Sequence, residues 1–572
     1  MTRFIIVAGG VISGVGKGVT TASIGKILTE YGFSVTAIKI DPYLNYDAGT
    51  LRPTEHGEVW VTDDGGEIDQ DLGNYERFLG IDIPKRNNIT SGQVYKEIID
   101  RERKGEFLGE TVQFIPHVPD EIRRRIKESA KGFDFALVEI GGTIGDFENL
   151  PFLFSMKGLE KEIGKENIIY ILVSYLPIPG HMGEMKTKPT QQAIRQLSET
   201  GIFPDFIICR SRYPLDDVRK KKIETYANIS SEYVISEPDI DTIYRIPLDL
   251  EAESLGHKLL SEFRMKLKKK PSYREWQNLV EKIAKPAHRV KIAMVGKYVD
   301  VGSFNLRDSY ISVNESLLHA GAALDCGVDI SWIDSKKIEK GDFDDLKEYD
   351  GIIIPGGFGA NGVEGKIKAI QFAREKGIPF LGLCYGLQLA VVEFARNKCG
   401  MEDAHTTEVK KTKHPVIDIL ASQKEILEKR EYGASMRLGA YAAKLLPDTQ
   451  IYELYKETGR LKEDKQKIQL MKKDSSQQFR LGKLADEQDV VIERHRHRYE
   501  VNPEFIGAIQ KEGMVFSGSH ITEEGIELME FIELPCHPYF CATQGHPEFK
   551  SALGKPAPLF YGFVKAALER KK

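Results

Sequence analysis

The chain has 572 residues, with 80 Lys and Arg against 85 Asp and Glu, and a formal net charge of −5 at pH 7. This length exceeds what one hydrophobic core organises, so we expect two or three domains, and the balanced charge gives no reason to expect nucleic-acid or membrane binding. Only six cysteines, no apolar run near the roughly 18 residues of a bilayer span, and no signal-peptide pattern predict a cytoplasmic protein without a disulfide framework.

Short β-branched runs alternate with helical patterns in the N-terminal part. Strands are predicted at 4–8, 35–40, 135–140, 168–173 and 206–209. This alternation predicts an α/β fold with a doubly wound parallel sheet, whose ligands bind at the carboxyl ends of the strands. We assign residues 1–254 to this domain.

A glycine-rich segment follows the first predicted strand. Residues 9–21 read Gly-Gly-Val-Ile-Ser-Gly-Val-Gly-Lys-Gly-Val-Thr-Thr and precede a helical pattern. Backbone N–H groups and a lysine at a helix N-terminus bind phosphates, so we predict a phosphate-binding loop around Lys17. Gly18 stands where Ser or Thr usually holds magnesium, and an ordinary strand–turn–helix connection is the alternative.

Without that hydroxyl, a magnesium ion needs carboxylates from elsewhere in the chain. Asp71 lies in an acidic stretch, and Glu139 ends an apolar strand beside two glycines. Carboxylates at such positions suit a hard cation that bridges ATP phosphates. A polar turn is the alternative for Asp71; for Glu139 a purely structural role is less favoured, because an unpaired carboxylate in an apolar strand is costly.

A second group of phosphate-binding candidates surrounds residues 183–191, where two lysines and two threonines precede a helix. Together with Lys39 and Lys222 they give more cationic side chains than one nucleotide needs. This surplus favours two triphosphates in one domain, although a basic turn without a ligand has the same spacing.

Residues 255–290 are predicted to be a charged linker with a helix at 273–284. From Lys291 a second α/β domain extends to the C-terminus, with strands at 291–296, 329–333 and 351–355 and a helix at 314–324. The Lys- and Gln-rich stretch at about 457–488 is predicted to be a surface insertion, helical or partly disordered.

Cys384 lies on a tight strand-to-helix turn between Gly382 and Gly386, the geometry of a nucleophile elbow. A helix N-terminus favours the thiolate, and His546 with Glu548 can supply the base. Residues 351–359 form a strand ending in a glycine-rich turn that suits an oxyanion hole. The alternative for Cys384 is a buried core cysteine.

On these residues the chain from Lys291 onward resembles the class I glutamine amidotransferases. The resemblance implies that Cys384 forms a glutamyl thioester, with His546 as base and Glu548 as its orienter. It also implies an oxyanion hole at Gly357 and the N–H of Tyr385, and ammonia as the product.

Nearly the full chain resembles the CTP synthase family, through ordered matches at 13–18, 39–45, 55–59, 71–78, 139–143, 186–191 and 493–502. The resemblance implies a pyrimidine-biosynthetic ligase that phosphorylates UTP with ATP and replaces the phosphate by ammonia from glutamine, giving CTP. It also implies magnesium as cofactor, GTP as activator, CTP as feedback inhibitor, and a homotetramer that can form filaments.

The resemblance assigns site residues in three groups, with Asp71 and Glu139 as metal ligands and Lys39 assisting phosphoryl transfer. The ATP group comprises Gly14, Val15, Gly16, Lys17, Gly18, Val19, Asp71, Asp239 and Ile240. The UTP and CTP group comprises Ser13, Lys39, Asp146, Phe147, Glu148, Lys186, Thr187, Lys188, Pro189, Thr190, Gln191 and Lys222. The glutamine group comprises Gly357, Tyr385, Gly386, Leu387, Gln388, Glu408 and Arg498.

Three other interpretations stay open from the sequence. A different glutamine-dependent ligase would share the C-terminal half, so the N-terminal motifs alone argue against it. A filament protein with a silent active site has no need for all of Cys384, His546 and Lys17. A P-loop switch protein fused to a hydrolase is disfavoured by Gly18.

Overall fold

The structure is a computed structural model that describes residues 1–52, 57–180, 183–296, 310–341, 343–419 and 436–572. The chain divides into two compact units. Unit 1 comprises Met1–Leu51 and Glu67–Val280, and unit 2 comprises Arg52–Gly66 and Glu281–Lys572. The first two residues of the 55–59 motif lie outside the described ranges.

Unit 1 contains a seven-stranded parallel sheet, which confirms the predicted doubly wound α/β fold. Its strand order is β5–β2–β6–β1–β7–β8–β9. The strands of the N-terminal region are β1 (Arg3–Gly10), β2 (Val35–Asp41), β3 (Trp60–Val61, in unit 2), β4 (Glu67–Ile68), β5 (Asn88–Thr90), β6 (Phe135–Ile140), β7 (Ile168–Tyr175), β8 (Phe206–Ser211) and β9 (Val234–Pro238).

The helices of unit 1 cover its sheet, so the central strands are buried on both faces and read as continuous apolar runs. They are α1 (Lys17–Glu30), α2 (Asp71–Leu79), α3 (Ser91–Arg103), α4 (Phe114–Ala130), α5 (Leu150–Ile163), α6 (Lys188–Glu199), α7 (Asp217–Ala227), α8 (Ile246–Ala252), α9 (Leu255–Glu262) and α10 (Arg274–Ala284, which continues into unit 2).

Unit 2 contains a nine-stranded mixed sheet in the order β11–β10–β12–β13–β21–β20–β19–β16–β17, and a three-stranded sheet β14–β15–β18. The first five strands of the large sheet are parallel and the rest antiparallel. The strands are β10 (His288–Gly296), β11 (Cys326–Asp334), β12 (Gly351–Ile354), β13 (Phe380–Leu383), β14 (His405–Thr406), β15 (Pro415–Ile419), β16 (Arg437–Leu445), β17 (Val490–His497), β18 (Tyr499–Val501), β19 (Val515–Ile521), β20 (Glu527–Glu533) and β21 (Phe540–Thr543).

Helices pack on both faces of this sheet around two apolar clusters. They are α11 (Ile311–Leu324), α12 (Ser335–Glu339), α13 (Val363–Lys376), α14 (Tyr385–Asn397), α15 (Gln450–Glu457), α16 (Arg460–Met471), α17 (Pro503–Lys511) and α18 (Pro558–Lys571). None of the helices in the described part of the chain has both the length and the apolar character that a membrane span requires.

Two predicted segments have a definite structure. The stretch 255–290 contains α9 and α10, and its residues up to Val280 belong to unit 1. The stretch 457–488 contains α16 and two short 3-10 helices, Gln478–Arg480 and Gly482–Leu484. The insertion is therefore a folded part of unit 2.

The run 493–498 differs from the solvated charge run that its letters alone indicate. Glu493, Arg494, His495 and His497 are buried in β17. Arg494 pairs with Asp63, and Glu493 accepts a hydrogen bond of 2.7 Å from Tyr455 Oη. Buried charges are tolerated here because each has a partner.

Candidate active sites

Cys384 lies between the end of β13 and the start of α14, where its φ of 50° and ψ of −99° depart from ordinary strand or helix geometry. Its backbone N donates to the carbonyl of Thr543 at 2.7 Å. Such a backbone is uncommon for a residue other than glycine and is typical of functional turns. The thiol therefore lies at the N-terminus of a helix, where the unpaired backbone N–H groups face an incoming ligand.

Gly386 permits this elbow. A Cβ at this position would lie 2.3 Å from the carbonyl oxygen of Ile354 in β12. The first turn of α14 therefore packs directly against the neighbouring strand, and a side chain would displace the cysteine.

His546 follows β21, and its Nδ1 lies 2.7 Å from Oε1 of Glu548. Burial disfavours the imidazolium, but Glu548 and Cys384 outweigh burial and raise the pKa of His546 to about 10. The thiol and the imidazole lie close together, because a Cβ built on Gly356 would lie 3.0 Å from Cε1 of His546 and 3.8 Å from Cβ of Cys384. The arrangement is a cysteine–histidine–carboxylate triad.

Cys384, His546 and Glu548 line one small cavity of about 130 Å³. The glycine-rich turn contributes Gly356, Gly357 and Phe358, as predicted for an oxyanion hole. The other lining residues are Glu58, Val59, Tyr310, Val313, Arg496 and Phe549.

Of the predicted glutamine-binding residues, Gly357 lines this cavity, and three others make hydrogen bonds with the glycine-rich turn or with Tyr499. Tyr385 Oη donates to the carbonyl of Gly359 at 3.0 Å, and the N–H of Gly359 donates to Glu408 at 2.7 Å. Gln388 donates to the carbonyl of Tyr499 at 3.0 Å. Burial first, and then the charge of Glu408, raises the pKa of Tyr499, while Arg498 opposes that shift. Tyr499 is therefore joined to the elbow helix through Gln388.

Sequence reasoning missed several residues of this site. Arg496 lines the cavity, two positions before Arg498. Gln544 donates to Cys384 Sγ at 3.6 Å. Glu58 and Val59 reach the cavity from far upstream, and no local pattern signals this. Alternation along β17 was the one available signal for Arg496.

In unit 1 the glycine-rich loop connects β1 to α1, with Gly14 and Gly16 at positive φ of 70° and 94°. Lys17 Nζ donates to the carbonyl of Gly142 at 2.7 Å. Burial lowers the pKa of Lys17, and the charge of Glu139 opposes that shift. The N-terminus of α1 and this lysine together form a phosphate-binding arrangement.

Gly18 leaves room for a carboxylate. A Cβ on Gly18 would lie 2.1 Å from Oδ1 of Asp71. The space that a Ser or Thr side chain would occupy is therefore taken by Asp71. This contact accounts for the departure from the usual loop sequence.

Lys39 Nζ bridges Asp71 and Glu139, with a distance of 2.8 Å to Glu139. Tyr75 Oη also contacts Glu139. At Glu139 the effect of burial outweighs the attraction of Lys39, so the pKa is raised. At Asp71 burial also acts to raise the pKa, but the attraction of Lys39 outweighs it, so the pKa is lowered.

Asp41, which is buried, and Asp69, which is partly buried, also lie near Lys39, and loss of contact with water raises the pKa of each carboxyl group. With Asp71 and Glu139 they make four carboxyl groups near two ammonium groups, those of Lys17 and Lys39. Asp71 and Glu139 are the two carboxylates predicted to hold a divalent cation, and Lys39 bridges them here. Among the residues that the structure describes, no group of three or more His, Cys, Asp or Glu side chains is placed to hold a metal ion.

Arg210 is a further residue that the sequence did not single out. Its Nη1 lies 2.8 Å from Glu237 Oε1, and a Cβ on Gly16 would meet the same guanidinium at 2.8 Å. Its Nη2 lies 3.6 Å from Asp239, which is predicted to lie near adenine. Arg210 therefore connects the phosphate loop to Asp239.

The contacts of four predicted UTP and CTP residues show where they lie. Gln191 and Lys222 line a cavity of about 690 Å³ beside α6 and α7. Asp146 accepts from the N–H of Thr143 at 2.7 Å, and the adjoining Gly145 packs against Gln196 of α6. Lys39 instead lies between the carboxylates of Asp71 and Glu139.

Comparison with known proteins matches two family models to the chain. Residues 3–265 match the family model "CTP synthase N-terminus", and residues 305–566 match "Glutamine amidotransferase class-I". A glutamine amidotransferase joined to a synthetase domain defines a glutamine-dependent ligase.

CTP synthases from Pyrococcus abyssi and Methanocaldococcus jannaschii are each 48% identical to this chain, covering 100% of it and 99% of the relative. The chain belongs to the CTP synthase family. Among solved structures, a glutaminase domain of Trypanosoma brucei CTPS with bound acivicin is 32% identical and covers 49% of this chain and 94% of that chain, with a TM-score of 0.40.

Proposed function

We propose that the chain converts UTP to CTP, using ATP and ammonia released from glutamine. The observation that carries this proposal is the Cys384 elbow sharing a cavity with the His546–Glu548 pair, in a chain whose other unit has a phosphate loop.

In unit 2 the Cys384 thiolate attacks the carboxamide carbon of glutamine. The N–H groups of Gly357 and Tyr385 stabilise the oxyanion, and His546 protonates the departing ammonia. His546 then takes a proton from water, which hydrolyses the glutamyl thioester. Glu548 keeps the imidazole oriented throughout.

In unit 1 the ATP phosphates bind at the loop around Lys17, near Asp239 and Ile240. Lys39 assists transfer of the γ-phosphoryl group to O4 of UTP, which turns a poor leaving group into a good one. Ammonia attacks C4 and phosphate leaves. Magnesium at Asp71 and Glu139 would neutralise phosphate charge when bound.

UTP, the nucleoside triphosphate that is aminated, binds at one set of residues, and CTP binds there as feedback inhibitor. This set comprises Ser13, Asp146–Glu148, Lys186–Gln191 and Lys222. The shared cavity of Gln191 and Lys222 supports this assignment. The proposal also includes activation by GTP and assembly into a homotetramer or filaments. Only membership of the family supports these two properties.

The test is CTP formation from UTP, ATP and magnesium, with glutamine or ammonium chloride as nitrogen source. Cys384→Ala should abolish the glutamine-driven reaction and keep the ammonia-driven one. Cys536→Ala, at an exposed cysteine, is the matched control and should keep both. Glutamine hydrolysis without CTP from either nitrogen source would instead indicate a ligase with a different acceptor.

A further inference from the structure

The insertion is a folded part of unit 2. Ile468, Met471, Leu481 and Leu484 pack in an apolar cluster with residues of β16 and β17. Asp464 of α16 accepts from the N–H of Ile492 at 2.9 Å. The insertion therefore has a defined position relative to the sheet that carries the candidate glutaminase site.

Side chains of the insertion hold residues 57–66, the segment of unit 2 that supplies Glu58 and Val59 to the cavity. Lys467 Nζ pairs with Asp63. A Cβ on Gly65 would lie 2.7 Å from Nη2 of Arg480, whose guanidinium also lies 5.2 Å from the ring of Tyr441. Asp63 is partly buried, and Lys467 first and then Arg494 outweigh the effect of burial and hold its pKa well below the ordinary value.

From Asp63 a continuous set of contacts leads to the catalytic histidine. Arg494 pairs with Asp63, lies 5.4 Å from the ring of Trp60, and donates to the carbonyl of Phe549 at 3.2 Å. Trp60 meets Phe549 edge-to-face at 5.0 Å, and Phe549 stacks on His546 at 5.3 Å.

The other end of the segment reaches the same histidine by a second route. Glu58 accepts from the N–H of Ser312 at 2.9 Å, at the start of α11. One turn later Ser316 donates to the carbonyl of Glu548 at 3.3 Å. A displacement of the segment would therefore reach both His546 and its carboxylate partner.

We propose that the insertion is a positioning element of the glutaminase site, in which Lys467 fixes Asp63 and thereby the placement of His546. This inference rests on the proposed role of His546. Loss of Lys467 leaves Asp63 paired with Arg494 and Gly65 beside Arg480, so the fold persists while the segment loses one of the cationic side chains that contact it.

The test compares Lys467→Met with Lys465→Met, an exposed lysine on the same helix. Lys467→Met should lower kcat for glutamine hydrolysis about tenfold, because small misplacements of catalytic groups are costly. The KM for glutamine and the ammonia-driven CTP rate should not change. Lys467→Arg, which keeps the charge, should restore most of kcat, and Lys465→Met should match the wild type.

Three results would overturn the inference: an unchanged kcat in Lys467→Met, an equal loss in Lys465→Met, or a parallel loss of ammonia-driven synthesis, which would indicate general destabilisation. The proposed function fails separately, if Cys384→Ala keeps glutamine hydrolysis. The two failures are therefore distinguishable.

Discussion

His546 governs how glutamine hydrolysis should respond to pH. Its pKa is raised from 6.5 to about 10, where burial is opposed and outweighed by Glu548 and Cys384. The imidazolium therefore persists through neutral pH and is lost as pH rises through about 10. The stability that this ion pairing contributes is fully present below pH 6.5 and declines progressively as pH rises from 6.5 to about 10.

Replacing Glu548 by Gln removes the largest favourable charge on that imidazolium. The alkaline limb of kcat/KM for glutamine hydrolysis should move to lower pH in Glu548→Gln, and kcat should fall because the imidazole loses its orienter. A pH–rate profile measures both effects. Glu523→Gln, at an exposed position, is the control; an unshifted alkaline limb in Glu548→Gln would contradict the assignment.

At the scale of elements, Lys39 joins β2 to β6 and α2 through Glu139 and Asp71. Removing the ammonium leaves the buried carboxylate of Glu139 and the partly exposed carboxylate of Asp71 without their shared partner. This costs about 3 kcal/mol, the lower end of the range for a buried pair, because Asp71 reaches solvent. We expect Lys39→Met to lower the free energy of unfolding by this amount. A divalent cation held by the same carboxylates should restore part of it.

Urea denaturation with and without magnesium measures this recovery independently of activity. Lys131→Met, at an exposed lysine of unit 1, should change neither the stability nor its magnesium dependence. An equal response of Lys39→Met and the wild type to magnesium would count against Asp71 and Glu139 as ligands.

The sequence predicts some elements well because their side chains are apolar. Such side chains are buried whichever residues pack against them. Strand β6 matches its predicted range of 135–140, because both faces of a central parallel strand are buried. Strand β17 escapes such reasoning, because Arg494 is buried only through its contacts with Asp63 and Phe549. The stability of those charges depends on distant residues, which a local pattern does not contain.

The site follows the same rule. Cys384 is recognisable because an elbow needs adjacent glycines, and Gly386 lies 2 positions along the chain. From the sequence, Gly18 shows only that the usual Ser or Thr hydroxyl is missing. Asp71 occupies the space of that side chain because α1 and α2 pack together, which the sequence does not show. Sequence therefore predicts residues that act through neighbours in the chain better than residues that act through packing.

For the whole molecule, the boundary of unit 2 does not coincide with one stretch of chain. Residues 52–66 belong to unit 2 although they lie more than two hundred positions before Glu281. They contribute Glu58 and Val59 to the cavity. They also contribute Asp63, which forms ion pairs with both Lys467 and Arg494. A C-terminal fragment that starts at Glu281 would therefore lack part of the unit.

We expect the fragment 281–572 to fold, because the nine-stranded sheet and its apolar clusters lie entirely within it. Its kcat for glutamine hydrolysis should be at least about tenfold below that of the full chain assayed without nucleotides, because Phe549 loses Trp60 and His546 is less firmly placed. Circular dichroism checks the fold, and the fragment carrying Cys384→Ala gives the background rate. A fragment as active as the full chain would show that residues 57–66 have no part in placing His546, since the catalytic triad would then be complete without them.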